Sequence, residues 1–160
     1  MKIKTMATSG IIAALYIAVS LLVAPLTFGA VQFRIAEMFN HLIVFNKKYF
    51  FGIVIGVFIT NLFSPLGMYD LTFGVGHSIL TLSISLLIGK HVRNQLTHMI
   101  LNTLLFTFTM FIIAFGLHLA LEYPFLYTYL TCAIGEFLVL AVGIPLMRAL
   151  NKRLTFKELI

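Results

Sequence analysis

Arg34, Glu37 and His41 recur at i, i+3 and i+7 in the segment Gln32-Phe33-Arg34-Ile35-Ala36-Glu37-Met38-Phe39-Asn40-His41, a spacing that aligns three polar side chains on one face of a helix. Asn61 and Asp70 follow at the ends of apolar runs, with His77 two turns beyond Asp70. Glu136 lies inside the last apolar run, about nine residues from its end and so ~13 Å deep at 1.5 Å per residue. A carboxylate at that depth costs several kcal/mol unless it faces a partner or a wet cavity. Together these residues offer donors and acceptors suited to holding a small polar molecule. Structural alternatives stand beside that reading. Arg34 and Glu37 can pair to cap a helix, Asp70 can serve as an N-cap, and His77 can be a satisfied packing histidine. Asn102, His41 and His118 have weaker claims still.

Catalysis finds little support in the same inventory. The chain has one aspartate and one cysteine, Cys132, so it lacks paired aspartates, a disulfide and a cysteine metal cluster. His77 and His118 do not have metal-ligand spacing, and no glycine-rich phosphate loop is present. The expected role is binding or transport by a protein that is not an enzyme and carries no cofactor or metal.

The elements that must position these residues are membrane helices. Only 10% of residues are charged and 61% are hydrophobic, with a mean hydropathy of +1.05. A soluble surface needs roughly a quarter of its residues charged. Four runs approach the ~20 apolar residues that span a bilayer: Met6–Leu26, Leu71–Ile88, Met99–Leu121 and Phe125–Met147. Ile35–Phe45 and Tyr49–Phe63 are shorter, as expected of short or re-entrant helices buried against the rest. The expectation is one all-α membrane domain over residues 1–160, with six transmembrane helices. A signal-peptide reading of the N-terminus fits badly, because cleavage after Ala30 would set Phe28 where a small residue is needed.

Cations orient the model. Lys2, Lys4, Lys47, Lys48, Lys90, Arg93, Arg148, Lys152, Arg153 and Lys157 fall in the tails and in alternate gaps, and Arg34 alone falls on the other side. The positive-inside rule therefore puts both termini in the cytoplasm. The net charge of +6 belongs to membrane edges, and no nucleic-acid partner is expected. Breakers cluster on the outer side at Pro25, Gly29, Ser64-Pro65-Leu66-Gly67 and Tyr123-Pro124, while Pro145 can kink or stop the last helix. Gly10, Ala14 and Ala18, with Ala7 nearby, form a stripe of small residues in the first helix. Such a stripe serves either an intramolecular seam or a docking face for another membrane protein. Gly52, Gly56 and Thr60 repeat the pattern in the third helix.

The stretch Val31-Gln32-Phe33-Arg34-Ile35-Ala36-Glu37 resembles the Gln-Phe-Arg-(Ile/Val)-(Ser/Ala)-Glu signature of the QueT family. Asn46-Lys47-Lys48-Tyr49, Gly56…Thr60-Asn61, Asp70…Phe73-Gly74, Glu122-Tyr123-Pro124-Phe125 and Gly135-Glu136 follow in the family's order. The resemblance spans essentially the whole chain. Ala36 stands where many relatives have Ser, and His77 lies where relatives are rich in Gly and Ser.

The resemblance implies the substrate-binding S component of an energy-coupling factor (ECF) transporter in a bacterial plasma membrane, taking up a queuosine precursor. It also implies partners: a transmembrane coupling (T) subunit and two ATPase subunits, with Gly10, Ala14 and Ala18 as the docking stripe. A 7-deazaguanine would place adjacent N–H donors on Glu136 or Glu37 and its carbonyl on Arg34, Gln32 or Asn61. An aminomethyl cation would suit Asp70, and Phe33 and Phe73 offer stacking faces, with His77 also near the site. The alternatives are an S component for another vitamin or nucleobase, and a membrane interaction protein whose polar cluster is structural.

Overall fold

A computed structural model describes residues 3–29 and 32–160. Met1, Lys2, Ala30 and Val31 lie outside the described residues, and with them Lys2 of the basic tail, the rejected cleavage position and the first residue of the QueT-like motif. All regular structure among the described residues is helical. Helices α1 (Ile3–Leu22), α4 (Asp70–Gly89), α5 (Gln95–Leu121) and α6 (Phe125–Leu154) are each long and apolar enough to cross a membrane. Between them lie two shorter apolar helices, α2 (Ile35–Phe45) and α3 (Tyr49–Leu62). Large apolar side chains such as Leu22, Phe51, Phe108 and Leu126 point outward. That arrangement suits lipid as the surrounding solvent.

Close backbone approach holds the bundle together. A Cβ built on Gly56 would lie 2.8 Å from Cβ of Tyr16, and one on Gly52 would lie 2.9 Å from the carbonyl oxygen of Ser9. The α1–α3 seam therefore uses Ser9, Ile12, Ala13 and Tyr16 on α1. Gly10, Ala14 and Ala18 lie on the exposed side of that helix, so they do not form the intramolecular seam. Gly143 does for α2 and α6 what Gly56 does for α1 and α3, meeting Met38 Cβ at 3.0 Å and His41 Cδ2 at 3.2 Å from an added Cβ. The short α2 is thereby buried between α1 and α6, above a core that includes Tyr49, Ile53, Leu82, Phe106 and Leu140.

Several helix boundaries differ from the sequence expectation. The first run divides: α1 ends at Leu22, and a separate turn, Ala24–Thr27, carries Pro25 in its first positions, where a missing N–H costs least. Helix α5 begins at Gln95, where Asn94 caps it by accepting from the Thr97 N–H at 3.2 Å. It is interrupted at Met110. The Thr109 hydroxyl lies 2.9 Å from the Leu105 carbonyl and 3.1 Å from that of Phe106, a back-bonding pattern that bends helices. Pro145 does not stop α6, which continues to Leu154 and ends at Thr155 with φ 48°.

The two ends of the described chain meet. The Lys4 ammonium donates to the Glu158 carbonyl, and the Thr8 hydroxyl donates to that of Leu159 at 2.8 Å. The Tyr49 hydroxyl donates to the Phe156 carbonyl at 2.8 Å. Lys4, the Lys47-Lys48 loop and the C-terminal tail thus share one end of the bundle. Helix α3 leads away from that end to Asn61 and the Ser64–Asp70 turn at the other.

Candidate functional site

Residues Ile35–His41 wind as a 3-10 helix, long for this tight form, in which side chains three apart eclipse. That winding corrects the expected face. Arg34, Glu37 and Asn40 stack in one row, and His41 turns away to place Nε2 3.0 Å from the Leu140 carbonyl on α6. Asn102 approaches the other His41 ring nitrogen at 3.4 Å. Glu37 is the centre of the row. Its carboxylate accepts from the Tyr16 hydroxyl at 2.7 Å and from the Asn40 amide, and lies 3.9 Å from the Arg34 guanidinium.

Arg34 joins the row to the far loop. Its Nε donates to Gln32 Oε1 at 2.8 Å, and Nη2 lies 3.9 Å from Asp70 Oδ1. Gln32 holds φ at 51°, a left-handed conformation uncommon outside glycine. Burial works against the charge of Arg34, but Asp70 and Glu37 outweigh it and raise its pKa above the ordinary arginine value. Asp70 is not an N-cap. The cap position is Tyr69, and α4 opens as a π turn over Asp70–Gly74. The carboxylate instead accepts from the Ser64 hydroxyl at 2.5 Å. Asn61 donates to the Val57 carbonyl at 3.0 Å, and its amide packs against Gly74, where a Cβ would meet it at 2.9 Å.

Beneath this layer, Glu136 is 0% exposed. Counted from Phe125, where both the apolar run and the helix begin, it lies eleven residues in rather than nine, ~16 Å along the axis. Neither carboxylate oxygen has a hydrogen-bond partner among the described residues. His77 Nε2 lies 2.9 Å from Thr109 Oγ1. Thr109 Oγ1 also lies 3.0 Å from Thr81 Oγ1. Among the described residues His77 Nδ1 has no hydrogen-bond partner, nor do Asn40 Oδ1, Asn102 Oδ1, Gln32 Nε2 and, apart from its ion pair with Asp70, Arg34 Nη2. Buried polar atoms are nearly always paired. Unpaired buried donors and acceptors of this kind are chemically suited to a polar ligand.

Of the residues expected at the site, Gln32, Arg34, Glu37 and Asp70 are tied into one network, while Glu136 and His77 are buried and make no bond to it among the described residues. Asn61 borders it at Gly74. Phe73 packs over Gly116, with Phe115 edge-on at 5.9 Å between centroids, and Phe33 is half-buried in the preceding loop. Sequence reasoning missed Tyr16, Asn40, Ser64 and Thr109. Tyr16 was findable as the polar tip on the face of α1 opposite its small stripe, whereas Asn40 becomes visible only once the winding is 3-10.

The family model described as QueT transporter matches residues 6–152. The chain is 34% identical over 155 residues to the Queuosine precursor transporter QueT of Lactococcus lactis subsp. cremoris (strain MG1363), covering 91% of each chain. No solved structure matches.

Proposed function

The chain belongs to the QueT transporter family, and from that premise we propose that it is the membrane-embedded S component of an ECF-type importer, capturing a queuosine precursor of the 7-deazaguanine class on its outer face. The observation that carries the substrate reading is Glu136, a fully buried carboxylate with neither oxygen hydrogen-bonded among the described residues. Adjacent N–H donors on one edge of a deazaguanine suit such a carboxylate, and charge-assisted bonds of this kind are the strong ones. Gln32 Nε2 and Arg34 Nη2 supply donors for the ring carbonyl. Glu37 and Asp70 act on the ligand mainly by holding Arg34, with Asp70 also suited to an aminomethyl cation. Asn61, His77, Phe33 and Phe73 border the site.

The name of the Lactococcus relative supports the substrate class. The charge distribution supports cytoplasmic termini in a bacterial plasma membrane and a six-helix crossing. The exposed Gly10, Ala14 and Ala18 support a docking face for the coupling T subunit, with ATP hydrolysed by two separate ATPase subunits. The test is mass spectrometry of ligand released from protein purified from its native membranes, with calorimetry against deazaguanines. A 7-deazaguanine is the expected product. Release of a different vitamin or nucleobase moves the assignment to that ligand. An absence of ligand, of deazaguanine binding and of co-purifying ATPases would leave only a membrane interaction protein.

A further inference from the structure

At the end of the bundle opposite the polar site, the loop after α2, the end of α4 and the start of α5 enclose an open groove of about 1010 Å³. Its floor is apolar, with Phe50, Phe51, Leu86 and Leu87 among its lining, and its rim carries Lys47, Lys48, Lys90, Arg93 and Lys157. No aspartate or glutamate lines it. In the sequence these cations belong to three separate segments and share only a side of the membrane; the fold brings them around one hollow. Phe50 and Phe51 lie in the first turn of α3, and Leu86 and Leu87 lie in the last turn of α4. The apolar floor therefore starts where the cationic rim ends, which is the layering of a lipid headgroup above its acyl chains.

We propose that this groove is a binding site for one anionic phospholipid of the adjacent leaflet, its phosphate held by Lys48, Lys90 and Arg93 and its acyl chains laid on the floor. No acidic side chain lines the groove, although Lys48 also donates to the Ile160 carbonyl at 3.4 Å; a rim of five cations is complementary to an anionic headgroup, and basic pockets between membrane helices at this level are suited to one. A zwitterionic lipid would fill the same floor but leave the rim unneutralised. The site is separate from the polar cluster, so the inference does not depend on which substrate that cluster holds.

Native mass spectrometry of the full chain tests it, after delipidation and incubation with equal amounts of phosphatidylglycerol and phosphatidylcholine of matched acyl chains. The expected result is one retained phosphatidylglycerol, unaffected by millimolar soluble glycerol phosphate. Lys90→Gln with Arg93→Gln should weaken that retention by roughly fivefold per cation removed. Lys48→Gln alone gives an independent second arm. All three side chains are exposed, so the variants should keep their helical circular dichroism. Equal retention of the two lipids, or retention unchanged in both variants, overturns the proposal. Displacement by glycerol phosphate alone overturns it in favour of a free-anion site. If the variants retain lipid normally but lose co-purifying protein subunits, the groove belongs to a protein partner and the lipid assignment fails.

Discussion

The Tyr16 hydroxyl reaches across from α1 to donate to Glu37 Oε1 at 2.7 Å. Tyr16 is held there because Gly56 on α3 lets its Cβ approach closely, so one glycine on the third helix sets the position of a bond between the first two. Tyr16→Phe keeps the ring and removes the donor, leaving a buried carboxylate short of one partner. The expected loss is about 1–3 kcal/mol, read as a lower apparent Tm in detergent. An unchanged melting profile would show that Glu37 does not depend on this bond.

Glu136→Gln should leave the bundle folded, since neither carboxyl oxygen has a hydrogen-bond partner among the described residues. Affinity for a deazaguanine should fall roughly ten- to hundredfold, the worth of a charge-assisted bond. Calorimetry on the wild type and the variant checks this, and equal affinities would take Glu136 out of the site.

Arg34→Lys preserves charge but not the planar fork that addresses Gln32, Glu37 and Asp70 together. A lysine supplies a point charge that cannot hold three partners in those directions. Proteolysis of the loop between Phe28 and Ile35 should accelerate several-fold in Arg34→Lys, and ligand affinity should drop. A loop as resistant as in the wild type would assign its order to Gln32 and the backbone instead.

The glycines of the first and third helices separate packing from docking. A Cβ at Gly10 meets nothing within 4 Å, whereas one at Gly56 falls 2.8 Å from Tyr16. Gly56→Val should abolish a monodisperse folded species on size exclusion. Gly10→Val should elute and bind ligand as the wild type does, yet lose co-purification with a coupling subunit and its ATPases. Retained co-purification in Gly10→Val and Ala14→Val together would move the docking face elsewhere.

Much of this architecture was legible in the sequence because lipid imposes a coarse rule. Apolar runs of spanning length and the grouping of cations located α1, α4, α5 and α6 to within a few residues, apart from the α6 extension past Met147 to Leu154. Proline could not settle that end, since Pro145 is accommodated within the helix. That Gln32, Arg34, Glu37 and Asp70 are polar residues in outer segments was legible, but the wiring that joins them was not. An α-helical period predicted His41 beside Glu37, and the tighter winding delivered Asn40. Asp70 looked like a cap because it precedes an apolar run, yet a π turn and Ser64 redirect it. Those outcomes depend on how neighbouring helices press on the chain at Gly74 and Gly143, which no local period encodes.

A 3-10 row repeats every third residue with almost no angular drift, so the Ile35–His41 segment works as a register as well as a scaffold. Exchanging one side chain there alters a contact, but adding or removing a single residue turns everything beyond it by about 120°. An insertion after Glu37 would swing Asn40 off the carboxylate and carry His41 away from the Leu140 carbonyl in the same step. This stretch should therefore tolerate changes of residue type far better than changes of length, even though it is among the shortest apolar segments in the protein.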